Sequence, residues 1–336
     1  MGHTRECGVK NLNVLYTLDS GFKTQLVVSL NSLIRNTKKK LNVFIIFDNL
    51  DEETRSYFMS LGNSRVKIKF LDAPKISNKL IPDRGAISQF YRLYLTKIFK
   101  GSSDISKLLY LDCDTLIMNS SIENIANIEM DNDAIAATID PWSYQYKSIF
   151  KLEKDTDMFN DGIFFINLEK WKEKNYDEKL EQLIKKRKHF IQADQGILNE
   201  LIHGKFKVLD PKFNVISSYF EMNYEELMCY RKPVSFYSKD QIKNAVKNPC
   251  IVHFTSTFLG NRPWQNGSNH PLKKTWVKDT KFYHVEIKKE KNGRKKQTLK
   301  KLFNILPRDK SIYLFGLLQA YLRPIFLKIK LSLGGE

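Results

Sequence analysis

Cysteine is scarce in this chain. The four present, Cys7, Cys113, Cys229 and Cys250, form no CxxC pair and no zinc-ligand spacing, so neither a disulfide-built scaffold nor a structural zinc site is expected. The opening MGHTRECGVKNLNVLY lacks the apolar stretch of a secretory signal. No uninterrupted run of about 18 apolar residues occurs, which predicts no transmembrane helix. These three absences predict a reducing, cytoplasmic setting. Internal repeats are also missing.

What is present suffices for one large α/β domain with an appendage: 336 residues, 42% of them hydrophobic, which excludes wholesale disorder. The formal charge is +18, but it is uneven. From Gln265 onward there are 17 Lys/Arg against 5 Asp/Glu, so +12 lies in the last 72 residues. Body and tail are therefore read separately. In the body, NVLYTL (13–18), LNVFIIF (41–47) and RVKIKFL read as strands. TQLVVSLNSLIRNT has helical spacing, and Asp51-Glu52-Glu53 opens a further helix at its positive end. This β-α-β-α-β order predicts a wound parallel sheet. GAISQFYRLYLTKIF (85–99) reads as a helix and KLLYL as a doubly buried strand. DAIAATI (133–139) and GIFFINL (162–168) read as strands, EKWKEKNYDEKLEQLIKKRKHF as one amphipathic helix, and DQGILNELIHG as a short helix. A linker-like change falls at 265–270, QNGSNH.

The strand KLLYL runs directly into Asp112-Cys113-Asp114. In an extended segment residues i and i+2 face the same way, so the two carboxylates converge while Cys113 turns into packing. Converging carboxylates need a shared proton or a cation between them. A hard divalent ion suits such oxygen ligands and leaves positions open for phosphates; a turn with a helix cap is the bland alternative. His253, which ends the apolar run in CIVHFTS, is the best third ligand, and imidazole favours Mn²⁺ over Mg²⁺. His3, His189, His203, His270 and His284 have weaker contexts.

Six separated segments in order, LYTLDSGF, FYRLYL, LLYLDCDTLI, FNDGIFFINLEKW, ADQGILN and HFTS…RPW, resemble glycosyltransferase family 8. These are retaining sugar-nucleotide transferases that include bacterial lipopolysaccharide galactosyl- and glucosyltransferases. The resemblance runs from about Asn13 to Trp264. It implies a GT-A type, Rossmann-like wound mixed sheet and a Mn²⁺-dependent (alternatively Mg²⁺-dependent) transfer of galactose or glucose from a UDP-sugar. The acceptor would be a hydroxyl of a cell-surface glycan or glycoprotein, joined in an α-linkage. It implies metal ligation by Asp112, Asp114 and His253, and nucleoside contacts at Tyr16, Thr17, Asp19 and Phe22. Diphosphate and donor contacts fall at Arg92, Asp112, Cys113, Asp114, Ser256 and Arg262. Asp140, Asn160, Asp161, Gly162, Asp194 and Gln195 would line the sugar, with Gln195, Asp194 and Asp161 the candidates nearest the reacting carbon. Family members usually carry lysine where Arg262 stands and a small residue where Asp161 stands, and here the spacing from His253 to Trp264 is lengthened.

The tail splits from the catalytic unit at 268/269 on this reading. Residues 286–301 hold eight Lys/Arg against two Glu, and SIYLFGLLQAYLRPIFLKIKLSL follows with apolar residues at helical spacing. A basic run beside an apolar helix too short to span predicts a peripheral anchor on an anionic membrane, at the inner face of the cell membrane; packing on the body or self-association is the alternative. Nucleic-acid binding is not expected, because the run has no interleaved aromatics. Two other functions are weighed. A sugar-nucleotide nucleotidyltransferase needs a glycine-rich phosphate loop, and TLDSGFK has one glycine. A polyanion-binding adaptor leaves Asp112, Asp114 and His253 without a role.

Overall fold

The structure, a computed structural model, describes residues 11–48, 50–82, 86–102, 104–186, 190–282 and 293–333. Cys7, His3, His189, His284 and much of the basic run lie outside the described residues. The strands among them are β1 (Leu12–Leu18), β2 (Leu41–Phe47), β3 (Val66–Phe70), β4 (Lys107–Leu111), β5 (Thr115–Ile117), β6 (Ile135–Ile139), β7 (Phe159–Asn167), β8 (Lys207–Val208), β9 (Val215–Ile216) and β10 (Ile251–His253). Seven form one sheet in the order β3-β2-β1-β4-β7-β6-β8. β1 pairs in parallel with β2 and β4, whereas β7 runs antiparallel between β4 and β6. The expected wound mixed sheet is therefore present. β1, β2 and β4 are buried along nearly their whole length, as apolar runs covered on both faces must be. The helix Lys23–Asn36 packs Leu26, Leu30 and Leu33 onto the sheet. The helix Glu52–Ser60 starts where the acidic triplet predicts, with Asp51 Oδ1 accepting from Thr54 N at 2.7 Å.

A second sheet, β5-β10-β9, decides where the site forms. β10 lies antiparallel to β5, with His253 opposite Thr115. Residues 112–114 are the link between the two sheets.

Several expectations change. The helix expected over 85–99 is wound as a 3₁₀ segment over Ile87–Tyr94 and becomes α-helical only at Leu95–Ile98. The long polar helix is two, Leu168–Glu173 and Tyr176–Lys186. The break is at Asn175, whose φ of 54° puts it in the left-handed region that asparagine tolerates. The 265–270 stretch is packed structure and not a linker: Ser268 and His270 are buried, and Ser268 Oγ donates to Asn261 O at 3.0 Å.

The division at 268/269 also falls inside the packed body. The helix Lys273–Phe282 buries Trp276 against Trp264, ring centroids 5.2 Å apart, and places Asp279 in a two-bond pair with Arg35, each bond 3.0 Å. After the helix Arg294–Phe303, helical structure runs from Arg308 through a π turn at Leu318–Leu322 to Leu333. Pro324 removes the N–H that Ala320 O would accept, and Ser143 Oγ donates to that carbonyl instead at 2.8 Å. The span Arg308–Ser332, 25 residues, is by length and composition long and apolar enough to cross a membrane. This overturns the expectation that the tail helix is too short and that no such helix exists. The uninterrupted-run criterion missed it because Arg323 sits within it.

Candidate active site

β4 ends at Leu111, and the next residue, Asp112, donates its N–H to Gly162 O on β7 at 2.7 Å. Asp114 O accepts from Phe254 N at 2.8 Å, just past β10. These two main-chain bonds set the aspartates between β7 and β10, where Asp112, Asp114 and His253 each offer a ligand atom within 4.8 Å of the others. His253 Nε2 is 3.2 Å from Asp114 Oδ1 and 3.6 Å from Asp112 Oδ2. Gly162 is needed for this approach: a Cβ there would lie 2.2 Å from His253 Cε1 and 2.7 Å from Asp112 Oδ2.

The donor set fits a divalent cation. His253 Nδ1 faces Asn214 Oδ1 at 3.2 Å, while Asn214 Nδ2 donates to Asn160 Oδ1 at 2.9 Å. An amide oxygen only accepts, so Nδ1 carries the proton and Nε2 keeps its lone pair toward the two carboxylates. Three acceptors then converge, and a cation relieves their repulsion. Burial opposes the charge of Asp114, but with no cation between them a protonated His253, by its charge and its hydrogen bond, and Arg262 outweigh it and hold the group below the ordinary carboxylate range; the neutral His253 is the form that would hold a cation. Arg262 Nη2 is 3.3 Å from Asp114 Oδ2, so the lengthened loop does deliver this arginine to the triad.

Arg92 is buried, 7% exposed, and gathers three acids. Nη2 donates to Asp112 Oδ1 at 2.6 Å. Nη1 donates to Asp161 O at 2.9 Å and lies 3.5 Å from Asp161 Oδ2. Nε is 3.0 Å from Asp194 Oδ2, an ion-pair contact without hydrogen-bond alignment. Its guanidinium also stands 4.2 Å over the Tyr110 ring. Burial pushes the Asp161 carboxyl well up and Asp194's negative charge adds to this, while Arg92 pulls it back. Asp194 is likewise raised, chiefly by burial. The two buried acids interact, so their titration belongs to the pair and not to either residue alone.

On the sugar side, Gln195 Nε2 donates to Asp140 Oδ2 at 3.0 Å, and Asn160 Nδ2 reaches Gln195 Oε1 at 3.4 Å. Thr17 Oγ1 bonds Tyr110 OH at 2.8 Å, and Asp19 accepts from Gly21 N at 2.7 Å in the short turn ending at Phe22. One expected side-chain contact with the donor, Tyr16, is corrected, and the Cys113 side chain packs inward as expected. The Tyr16 side chain is in the core, 0% exposed and bonded to Ser29 Oγ, so it lines no pocket. Cys113 is buried with its Sγ on Thr17 O, and burial raises its thiol well above the ordinary range, so its side chain is a packing group. Ser256 is exposed on the loop after His253. Two functional residues were not anticipated. Tyr110, whose OH donates to Asp112 Oδ1 at 3.2 Å, was readable as the i−2 neighbour of Asp112 on the strand. Asn214 carries no sequence signal.

The profile of Glycosyl transferase family 8 matches residues 13–267. The chain belongs to glycosyltransferase family 8. It is 32% identical over 235 residues to a Haemophilus influenzae protein whose name assigns it provisionally to the glycosyltransferases, covering 67% of this chain and 70% of that one. It is 27% identical over 276 residues to a lipopolysaccharide 1,2-glucosyltransferase of Escherichia coli, covering 78% and 75%. Among solved structures it resembles the galactosyltransferase LgtC in complex with donor and acceptor sugar analogs. That match has a TM-score of 0.63 at 19% identity and covers 81% of this chain and 96% of that chain. The fold is thus that of the GT-A glycosyltransferases. In this family 8 glycosyltransferase the Asp112–Asp114–His253 cluster stands at the carboxyl end of β4, where wound sheets collect ligands.

Proposed function

We propose that this chain is a metal-dependent retaining glycosyltransferase that moves galactose or glucose from a UDP-sugar to a hydroxyl of a cell-surface glycan or glycoprotein. The observation that carries this is the convergence of Asp112, Asp114 and His253 next to Arg262. Mn²⁺, or Mg²⁺, held by those three side chains would supply Lewis-acid neutralisation of the leaving diphosphate. Arg262 adds fixed positive charge where the leaving group becomes more negative. Arg92 neutralises the acids around it and fixes their orientation. Asp140, Asn160 and Gln195 form a hydrogen-bonded set that orients the sugar hydroxyls.

Retention through a covalent intermediate needs a free carboxylate near the anomeric carbon. Asp161 and Asp194 are both turned onto Arg92. That supports front-side attack, in which the acceptor hydroxyl passes its proton to the departing UDP oxygen on the same face. The test is a screen of UDP-glucose and UDP-galactose for Mn²⁺-dependent turnover, with the product anomer assigned by NMR. An inverted product, or a glycosyl adduct trapped on Asp161 or Asp194, would overturn this route.

The tail is read as a membrane-surface anchor at the inner face of the cell membrane. The helix from Arg308 packs Ile312, Gly316, Ala320 and Pro324 toward the body as a narrow i,i+4 stripe. Its remaining face leaves Leu318, Leu322, Ile325, Phe326 and Ile329 about half exposed or more, beside Arg323, Lys328 and Lys330. A helix tied to the body along one side and apolar on the other fits lying on a lipid surface. Leu322→Glu with Phe326→Glu should abolish cosedimentation with phosphatidylglycerol vesicles while leaving UDP release intact; unchanged sedimentation contradicts the anchor.

A further inference from the structure

Residues 254–264, which carry Arg262 to the triad, form no helix or strand, so side-chain pins set the position of this loop. On one side Thr257 Oγ1 donates to Glu221 Oε2 at 2.5 Å. Gly260 lies so close to the same carboxylate that a Cβ would stand 2.0 Å from Glu221 Oε1. On the other side the pins come from the tail. Lys296, on the helix Arg294–Phe303, donates its ammonium to Gly260 O and lies 3.5 Å from Gln265 Oε1. That same Oε1 accepts from Arg262 N at 3.0 Å, and Gln265 N donates back to Arg262 O at 2.9 Å. Phe258 is stacked on Phe315, ring centroids 5.3 Å apart and planes 18° from parallel, and meets Phe303 edge-on at 5.5 Å. Arg308 ties the start of the next tail helix to Glu221 O at 2.6 Å.

We infer that Lys296 is a positioning residue for the transfer reaction. With Phe303 and Phe315 it makes the C-terminal tail a brace that holds the loop so that Arg262 faces the diphosphate of the donor. This rests on the reading of Asp112, Asp114, His253 and Arg262 as the diphosphate site. An ammonium is a compact point donor that serves two carbonyl-type acceptors at once. Its removal takes one bond from Gly260 and one contact from Gln265, and Arg262 lies in the segment between them. The tail is then part of the donor site as well as a candidate anchor.

The experiment uses the full chain, titrated with UDP in the presence and absence of Mn²⁺, together with hydrogen exchange of residues 257–265. Lys296→Met should weaken Mn²⁺-dependent UDP binding roughly tenfold, the scale of one charge-assisted hydrogen bond. It should also speed exchange in the loop, and Lys296→Arg should recover part of both. In an Arg262→Ala background Lys296→Met should weaken UDP binding no further, because the residue it positions is gone. Undiminished UDP affinity in Lys296→Met, or full additivity of the two substitutions, overturns the inference and leaves the site reading standing. A wild-type chain that binds no UDP with Mn²⁺ overturns both.

Discussion

Gly162→Ala isolates the geometry of the triad from its chemistry, since it changes none of the ligand residues. The backbone of Gly162 is not in the left-handed region, so alanine meets no conformational penalty there. What forbids it is space: the new Cβ would stand 2.2 Å from His253 Cε1 and 2.7 Å from Asp112 Oδ2, against ordinary contacts of 3.4–4 Å. His253 must retreat by about 1 Å or more to restore contact distance. It cannot do so freely, because its Nδ1 is held by Asn214 and its backbone is paired to β5. Overpacking a buried site costs about 1–3 kcal/mol of stability. A ligand displaced by about 1 Å lowers productive turnover by roughly 10²-fold. The assays are Mn²⁺ titration, UDP release and thermal melting. The expected result is a folded variant melting about 2–4 °C lower per kcal/mol lost, with Mn²⁺ affinity and turnover down by orders of magnitude. Unchanged Mn²⁺ affinity would refute the argument that His253 and Asp112 occupy this position in the working enzyme.

Other substitutions probe the surroundings. Asn214→Ala removes the acceptor that fixes the His253 tautomer and should lower Mn²⁺ affinity about 10–100-fold, with Asn214→Asp restoring much of it; equal affinity in all three proteins contradicts the orienting role. Trp276→Ala should cost about 3–5 kcal/mol, seen as a lower melting temperature, because the helix Lys273–Phe282 belongs to the body. A chain ending at His270 that melts like the full protein would put the boundary back at 268/269. Burial lowers the pKa of His270 from 6.5 to about 4. The unfolded chain therefore takes up this proton first. The resulting stability is present above pH 6.5 and is lost as pH falls toward 4. His270→Asn should flatten the melting temperature across that window, and an unchanged slope excludes this group as the cause.

The residues explain why some of this was legible in the sequence and some was not. β1, β2 and β4 are doubly buried, so they show as apolar runs. Asp112 and Asp114 follow such a run, which marks them in the sequence, although a turn between β4 and β5 and not strand alternation brings them together. His253 ends another apolar run, but β5, β9 and β10 are two or three residues long and too short to display a period. The pairing that joins His253 to Thr115 was therefore invisible. The resemblance places Tyr16 at the nucleoside pocket, whereas strand alternation sends its side chain into the core. The family resemblance marks Arg92 as a donor contact, but not that the 3₁₀ winding over Ile87–Tyr94 turns it onto Asp112, Asp161 and Asp194. Composition changes at 265–270 while packing does not, as Trp276 and Asp279 demonstrate. Lys296 sits within a uniformly basic run, and nothing local marks it as the one that reaches Gly260.

The most direct test of the central claim is UDP release from UDP-glucose and UDP-galactose, measured with Mn²⁺ and after chelation, in the wild-type chain and in Asp112→Asn and Asp114→Asn. Asparagine keeps the shape and removes the charge. The account predicts Mn²⁺-dependent release in the wild-type chain and its loss in both variants, with melting temperatures near the parent's. Sustained, Mn²⁺-stimulated release in either variant would contradict it.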